Sequence, residues 1–153
     1  MRLGPGDEAR AAAVLLHPAV RDRLFDDSPV PSMAEIGGVL SDRDVFVLMP
    51  AEGAILIATP FVYSTFAVHQ AAIPGIRGAA VVQAGRLAVR WMFDNVADCR
   101  KLVGLTPSYN VPAIASARRA GFVIEGCMTG AVLRAGKLHD LIVLGFSRGE
   151  VLR

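Results

Sequence analysis

Several side chains in this sequence could move a proton or hold a charge, and each also has a plainer use. His69 lies near the end of a stretch that reads as a strand. Its imidazole could take a proton from an ammonium directly or through a water, or it could be a hydrogen-bonded histidine of the core. Glu125 could orient an amine, or pair with Arg134 across a hairpin. Asp140, beside His139, could bind a cation or sit at a solvated strand end. Arg118-Arg119 could contact phosphate or face solvent on a helix. Cys99 and Cys127 have no metal-type spacing and read as reduced thiols, so no metal site is expected.

The elements that must position these groups are marked clearly around Asn110. Asn-Val-Pro-Ala-Ile-Ala-Ser-Ala-Arg-Arg-Ala-Gly-Phe is a short helix with both ends labelled. Asn110 can cap it through its side-chain oxygen, a contact worth roughly 1 kcal/mol, and Pro112 in the first turn loses no hydrogen bond. Gly121 supplies the left-handed stop, and Phe122 begins an apolar run that reads as a strand. Upstream, residues 7–25 read as helical with a break at His17-Pro18, 26–31 as a turn-rich link and 32–40 as a second short helix. Strands follow at 45–49, 54–62 and 65–72, with a turn at 50–53. Residues 78–95 read as a long helix whose apolar residues Val82, Leu87, Trp91 and Val96 leave Arg86 and Arg90 outside. A strand at 101–105 leads to the capped helix. Strands at 122–133 and 138–146 join through a hairpin turn at 134–137. The order is mixed α/β, a meander first and a hairpin last.

Composition bounds the function classes. A chain of 153 residues is one domain's worth. The apolar fraction of 53% raises a membrane reading, and residues 53–76 contain no Asp, Glu, Lys or Arg. Pro60 and Pro74 interrupt that stretch, and Thr59, Tyr63, Ser64, Thr65, His69 and Gln70 are scattered through it, so it reads as buried sheet. Asp7, Glu8 and Arg10 stand where a signal peptide's apolar region would begin, so a cytoplasmic protein is expected. A net charge of +2 does not argue for nucleic acid. Residues 112–121 could be read as a DNA-recognition helix, but the low charge and flanking strands count against that.

The Asn110-capped helix ending in Gly121-Phe122, with Glu125-Gly126 after it, resembles the fourth helix of the GNAT N-acetyltransferases. The element order resembles the GNAT core with its first strand missing or very short, over about residues 45–148. Ribosomal-protein-type and phage-associated GNAT groups share further phrases: His17-Pro18-x-Val20, His69 leading to Ile73-Pro74, Arg77-Gly78, Trp91-Met92-Phe93, and Gly136 with Asp140 and Leu144-Gly145. The resemblance implies one domain over residues 1–153. Its fold would be a mixed sheet of antiparallel meander and splayed parallel strand pair, with helices on both faces and a C-terminal hairpin.

It also implies acetyl-CoA as co-substrate, lying where the strand ending near Ala72 parts from the strand starting near Lys101. Backbone N–H groups of Ala71, Ala72 or Ile73 would meet the pantetheine and polarise the thioester. The loop to Ala80 opens a helix whose free N–H groups, with Ala79 and Ala80 among the cofactor-binding residues, suit a diphosphate; Gly78 permits close backbone approach and Arg77 adds a charged contact. If Gly78 is the central glycine of the family pattern, Gly75 replaces its leading Arg or Gln; if Arg77 leads, Ala80 and Val82 replace the small residues. The second alignment is preferred. Asn110 adds a possible cofactor contact. Where many GNATs place an acidic tyrosine this chain has Ala117, and Tyr109 is expected to point elsewhere. Ser116 or Cys127 would then serve as acid, or the thiolate would leave unassisted. His69, Glu125 and Ser116 are thus the catalytic candidates. The implied activity is acetyl transfer to a primary amine, a protein N-terminus or a small amine, with a homodimer possible. The alternative is a non-catalytic CoA-binding or protein-interaction module of the same fold.

Overall fold

The computed structural model of the chain describes residues 1–24 and 29–150. Its helices start where the local chemistry says they should. Pro18 opens α2 (Pro18–Leu24) directly after α1 (Glu8–Leu15), so the helix expected over residues 7–25 is two, split at His17-Pro18. Phe25 and the first part of the expected link at 26–31 lie outside the described residues. A capping box starts α3 (Met33–Ser41): Ser32 accepts from the Glu35 amide while the Glu35 carboxylate accepts from the Ser32 amide. Asn110 caps α5 (Val111–Ala120), and Gly121 ends it at φ +118.

Strands β1 (Phe46–Ala51), β2 (Ala54–Val62) and β3 (Thr65–Ala72) form the meander. After α4 (Ala79–Asn95) come β4 (Lys101–Pro107), then α5, then the hairpin of β5 (Val123–Arg134) and β6 (Lys137–Ser147). The strands order as β1-β2-β3-β4-β6-β5, antiparallel except for β3 beside β4. A vestige of an earlier strand survives: Leu3 donates to the Val47 carbonyl and Met49 to the Met1 carbonyl, each at 2.7 Å.

Over residues 54–58 both faces of this sheet are covered, which accounts for part of the uncharged run at 53–76. Phe61, Val62 and Tyr63, at the end of β2 and the turn into β3, are exposed, so the expected buried sheet does not extend there. Along β2 the two-residue period sends Leu56 and Ala58 toward α4 and α5, and Ile55 and Ile57 toward α1 and α3. No helix among the described residues is long and apolar enough to cross a membrane. On α4 the buried stripe is Val82, Gly85, Ala88, Val89, Met92 and Phe93, while Leu87 is exposed and Trp91 only half-buried. The 3.6-residue period counted from Val82 passes through 85, 89 and 92, which is why the expected stripe was misplaced. Trp91 nonetheless packs against this core, and Phe93 lies within it.

Arg148 fastens the far end of α4. Its guanidinium donates to the carbonyls of Phe93 (2.7 Å) and Ala97 (3.1 Å), where the helix dipole favours a cation. Gly121 fixes the other junction, because a Cβ there would strike the Phe146 ring and would hold a side chain at positive φ. Gly121→Ala should therefore lower unfolding free energy by about 1–3 kcal/mol in denaturant titration, the range for an imposed backbone outlier.

Candidate functional site

The parallel ladder between β3 and β4 is short. It runs from Thr65 opposite Lys101 to Val68 opposite Gly104 and stops. Beyond it, residues 69–72 pair only with β2, and residues 105–107 only with β6. The gap opens a cleft of about 560 Å³ that reaches from α2 on one side to the first turns of α4 and α5 on the other.

Backbone direction decides which amides face this gap. Ile73 donates its N–H to the Gly53 carbonyl at 2.9 Å. Direction alternates along an antiparallel pair, so Ala71 also turns its N–H toward β2, and Gln70 and Ala72 turn theirs toward the opening. The expectation of unpartnered amides at Ala71, Ala72 or Ile73 is corrected for Ala71 and Ile73 and stands for Ala72. Ala71 and Ile73 border the cleft with their N–H groups turned to β2 and their side chains packed against the α1–α3 core, and Gln70 takes their place as a donor.

At the mouth of the cleft, Gly78 adopts φ +58 and ψ −125, a conformation open to glycine. It sets the first turn of α4 with its amides outward. The Ala80 N–H folds back to the Arg77 carbonyl at 3.2 Å, and that of Val82 to the Gly78 carbonyl at 3.3 Å. Among the described residues nothing accepts from the amides of Gly78, Ala79 and Val81, and no side chain caps the helix. Arg77 is exposed beside them and lines the cleft. Unpartnered amides, the positive end of a helix dipole and a guanidinium together suit an anion.

The opposite wall comes from α5. Asn110 lines the cleft while capping the helix, accepting from the Ala113 amide at 3.4 Å. Ser116 lines it half-buried, next to Ala117. Sequence reasoning missed Gln70 and Arg23, both in the lining. Gln70 donates to the Val81 carbonyl at 3.1 Å, tying the splayed strand to the first turn of α4, and lies against Gly85, which has no Cβ in the way. Its signal was the two-residue spacing from Val68 to Ala72; nothing local marked Arg23.

His69 faces the other way. Its ring borders a second cavity, of about 320 Å³, enclosed by α1, α3 and the first three strands. Part of its surface meets solvent, yet burial against surrounding atoms pulls its pKa below the ordinary histidine value, favouring the neutral imidazole near pH 7. His69 thus stands at the partition, with Val68 and Gln70 on its flanks lining the cleft.

Other candidates lie elsewhere. Glu125 pairs with Lys101 at 2.6 Å, not with Arg134, and does not border the cleft. It is the extra residue of a bulge between Ile124 and Gly126, and its carboxylate passes over Gly145, where any Cβ would block it. Arg134 sits nine positions on, roughly 30 Å along the strand, with its guanidinium over the Tyr109 ring. Tyr109 also meets His139 edge-on and points away from the cleft, as expected. Cys127 is exposed at the hairpin, where desolvation and Asp140 raise its thiol pKa; it does not reach the cleft. Asp140 accepts from the Gly130 amide at 2.9 Å, a structural task. Arg118 and Arg119 are exposed outside the cleft, and the Arg119 carbonyl accepts from Arg86 at 2.7 Å. Inward-facing Ala113 and Ser116 leave α5 packed on its own domain, unlike a groove-reading helix.

No protein-family model matches the chain, and neither does any curated protein. Solved structures do. The aminoglycoside acetyltransferase AAC(6')-Ib in complex with coenzyme A superposes with TM-score 0.75 at 15% identity, over 100% of this chain and 96% of that one. A probable GNAT-family acetyltransferase from Chromobacterium violaceum gives 0.77 at 18%, over 100% and 84%. The ribosomal-protein-S5-alanine acetyltransferase from Vibrio fischeri gives 0.74 at 12%, over 96% and 91%. The fold is that of the GNAT acetyltransferases: an open mixed sheet with one parallel pair and helices on both faces.

Two measurements check this geometry. The depressed His69 pKa means the unfolded chain binds its proton more readily, so stability is intact above about pH 6.5 and declines as pH falls through that range. His69→Asn should make denaturant midpoints between pH 7.5 and 5 fall less steeply than in the parent. Glu125→Gln, at a half-exposed ion pair, should cost no more than about 1 kcal/mol of stability.

Proposed function

We propose that this protein moves an acetyl group from acetyl-CoA to a primary amine, either a protein N-terminus or a small amine, by direct attack within a ternary complex. One observation carries the reading: a parallel strand pair parts after Val68 and Gly104 directly below a helix mouth with unpartnered amides. Lined by backbone donors on one strand, the cleft suits a pantetheine arm with a diphosphate at its end. Amides of Gly78, Ala79 and Val81 with Arg77 would hold the diphosphate. Gln70 and Ala72 would present N–H groups to the pantetheine and the thioester carbonyl, where negative charge develops. Neighbours of the fold are enzymes of this kind, among them one seen with ribostamycin and coenzyme A.

Acetyl-CoA supplies an activated thioester, and the chain's own groups supply placement and proton traffic. Neutral His69, whose ring faces away from the cleft, would take the amine's proton through a water, and the amine nitrogen bonds to the acetyl carbon as the carbon–sulfur bond breaks. The Ser116 hydroxyl is the side chain available to protonate the departing thiolate, which is also stable enough to leave unassisted. Free Cys99 and Cys127 suit a reducing, cytoplasmic setting. The apolar Val123, Ile124 and Met128, exposed on edge strand β5, suit a homodimer.

Ala117 supports a second reading, a CoA-binding module without turnover, because it packs against the core and offers no acid where many GNATs have tyrosine. Calorimetry with CoA and acetyl-CoA, followed by mass spectrometry of amines incubated with acetyl-CoA, separates the two. Binding with a product 42 Da heavier, one acetyl group, supports transfer; binding alone supports the module; neither defeats both. Arg77→Ala should weaken acetyl-CoA about 10- to 100-fold, as loss of a charge-assisted contact does. His69→Asn should lower kcat by at least about tenfold while leaving acetyl-CoA affinity unchanged, since a positioned base contributes on the order of 10²–10⁴.

A further inference from the structure

Two sets of backbone donors border the cleft, and they belong to different elements. Gln70 and Ala72 turn their N–H groups into it from β3, and Gly78, Ala79 and Val81 turn theirs outward at the start of α4. Along the chain the sets are joined by residues 73–78, a loop with glycine at 75 and 78. Across space, one hydrogen bond joins β3 to α4 among the described residues. The Gln70 side-chain amide donates to the Val81 carbonyl at 3.1 Å, linking a member of one set directly to a member of the other. The contact depends on a bare position in α4. The three heavy atoms nearest to where a Cβ of residue 85 would stand, at 2.9 to 3.6 Å, all belong to the Gln70 amide. Glycine is among the poorest residues for a helix interior, yet Gly85 is the seventh residue of α4 and is buried there. An alanine would suit the helix better and would push the Gln70 amide from its place.

We propose that Gln70 and Gly85 are a positioning pair that sets the distance between the two grips on acetyl-CoA, the thioester end on β3 and the diphosphate end on α4. The inference rests on the acetyl-transfer reading and adds to it the side chain of Gln70 and the missing side chain of Gly85. A ligand that spans both sets of donors gains the full contribution of each when their spacing matches its own. With the amide in place, strand end and helix mouth hold that spacing before the cofactor arrives. Without it the loop at 73–78 sets the spacing, and part of the binding free energy goes into ordering that loop. The Gln70 side chain is exposed in the open cleft, and a hydrogen bond strengthens when a ligand laid over it excludes water. Binding at either end therefore firms the tie that places the other.

Calorimetry on the whole chain tests this with acetyl-CoA and with its two halves, ADP for the helix mouth and S-acetylpantetheine for the strand. Gln70→Leu keeps the bulk and the backbone N–H and removes the amide. It should weaken acetyl-CoA about three- to tenfold, the range for one lost hydrogen bond, while each half binds within about twofold of the parent. Gly85→Ala reaches the same contact with Gln70 still in the chain. It should raise the thermal midpoint and yet weaken acetyl-CoA by about threefold. In a Gln70→Leu background the same alanine should leave acetyl-CoA affinity unchanged, because the two positions act through one contact. Acetyl-CoA held as tightly by Gln70→Leu as by the parent overturns the pairing and leaves acetyl transfer standing. Halves weakened as much as the whole, or an alanine effect that survives the loss of the Gln70 amide, do the same. A parent chain that binds neither acetyl-CoA nor CoA overturns the acetyl-transfer reading, and the pairing with it.

Discussion

The parting of β3 from β4 is the constraint on which the rest of the molecule depends. A parallel pair normally runs as far as its strands allow, because each unpaired N–H or C=O left out of water costs about 1–3 kcal/mol. Here the ladder ends after Val68 and Gly104, although β3 continues to Ala72 and β4 to Pro107. The two strands tolerate separation because each has a partner on its other side: β2 holds β3 to its end, and β6 holds β4 to its end. The opening is therefore flanked on each side by a ladder that stays paired past it.

That arrangement needs stiff neighbours. The α4–α5 face contributes one core, with Leu48, Met92, Leu102 and Leu144 out of contact with water. The α1–α3 face contributes the other, around Val14, Val47 and Ile55. Between them the sheet cannot shift to close the gap without disturbing packing on both sides. The Gln70 side chain adds a direct tie, joining the splayed end of β3 to the carbonyl of Val81 in the first turn of α4. The strand amides and the helix mouth are consequently held as one unit, so a ligand that spans both meets donors already in place. His69, one residue from that tie, presents its ring to the opposite cavity, which is how a single strand can serve two chambers.

Much of this was legible in advance, for identifiable reasons. Asn110, Pro112 and Gly121 act through local backbone geometry, so their helix could be read without knowing its surroundings. The strands of the meander were recoverable because Pro50 to Gly53 and the chain near Ser64 punctuate an uncharged, β-branched run. Less of the site was legible. Glu125 has Arg134 within sight along its own hairpin, but its actual partner, Lys101, lies two strands away and is reachable only because Gly145 is bare. The α4 stripe was misjudged because Leu87 and Trp91 are more apolar than the Gly85 and Ala88 that touch the sheet.

Residue types and their order determined the elements, their sequence and the helix mouth at Gly78, since caps, turns and periodicity act over a few positions of chain. They also determined that residues 54–58 would be sheet covered on both sides, because charge is missing there on both alternating faces, whereas the equally uncharged Phe61 to Tyr63 are exposed. Tertiary structure alone decided which amides face the opening, because that depends on where the β2 ladder starts counting: Ile73 bonded to Gly53 assigns Gln70 and Ala72 to the gap. It alone turned His69 away from the cleft and brought Arg23 to it, since both depend on contacts between residues far apart in sequence.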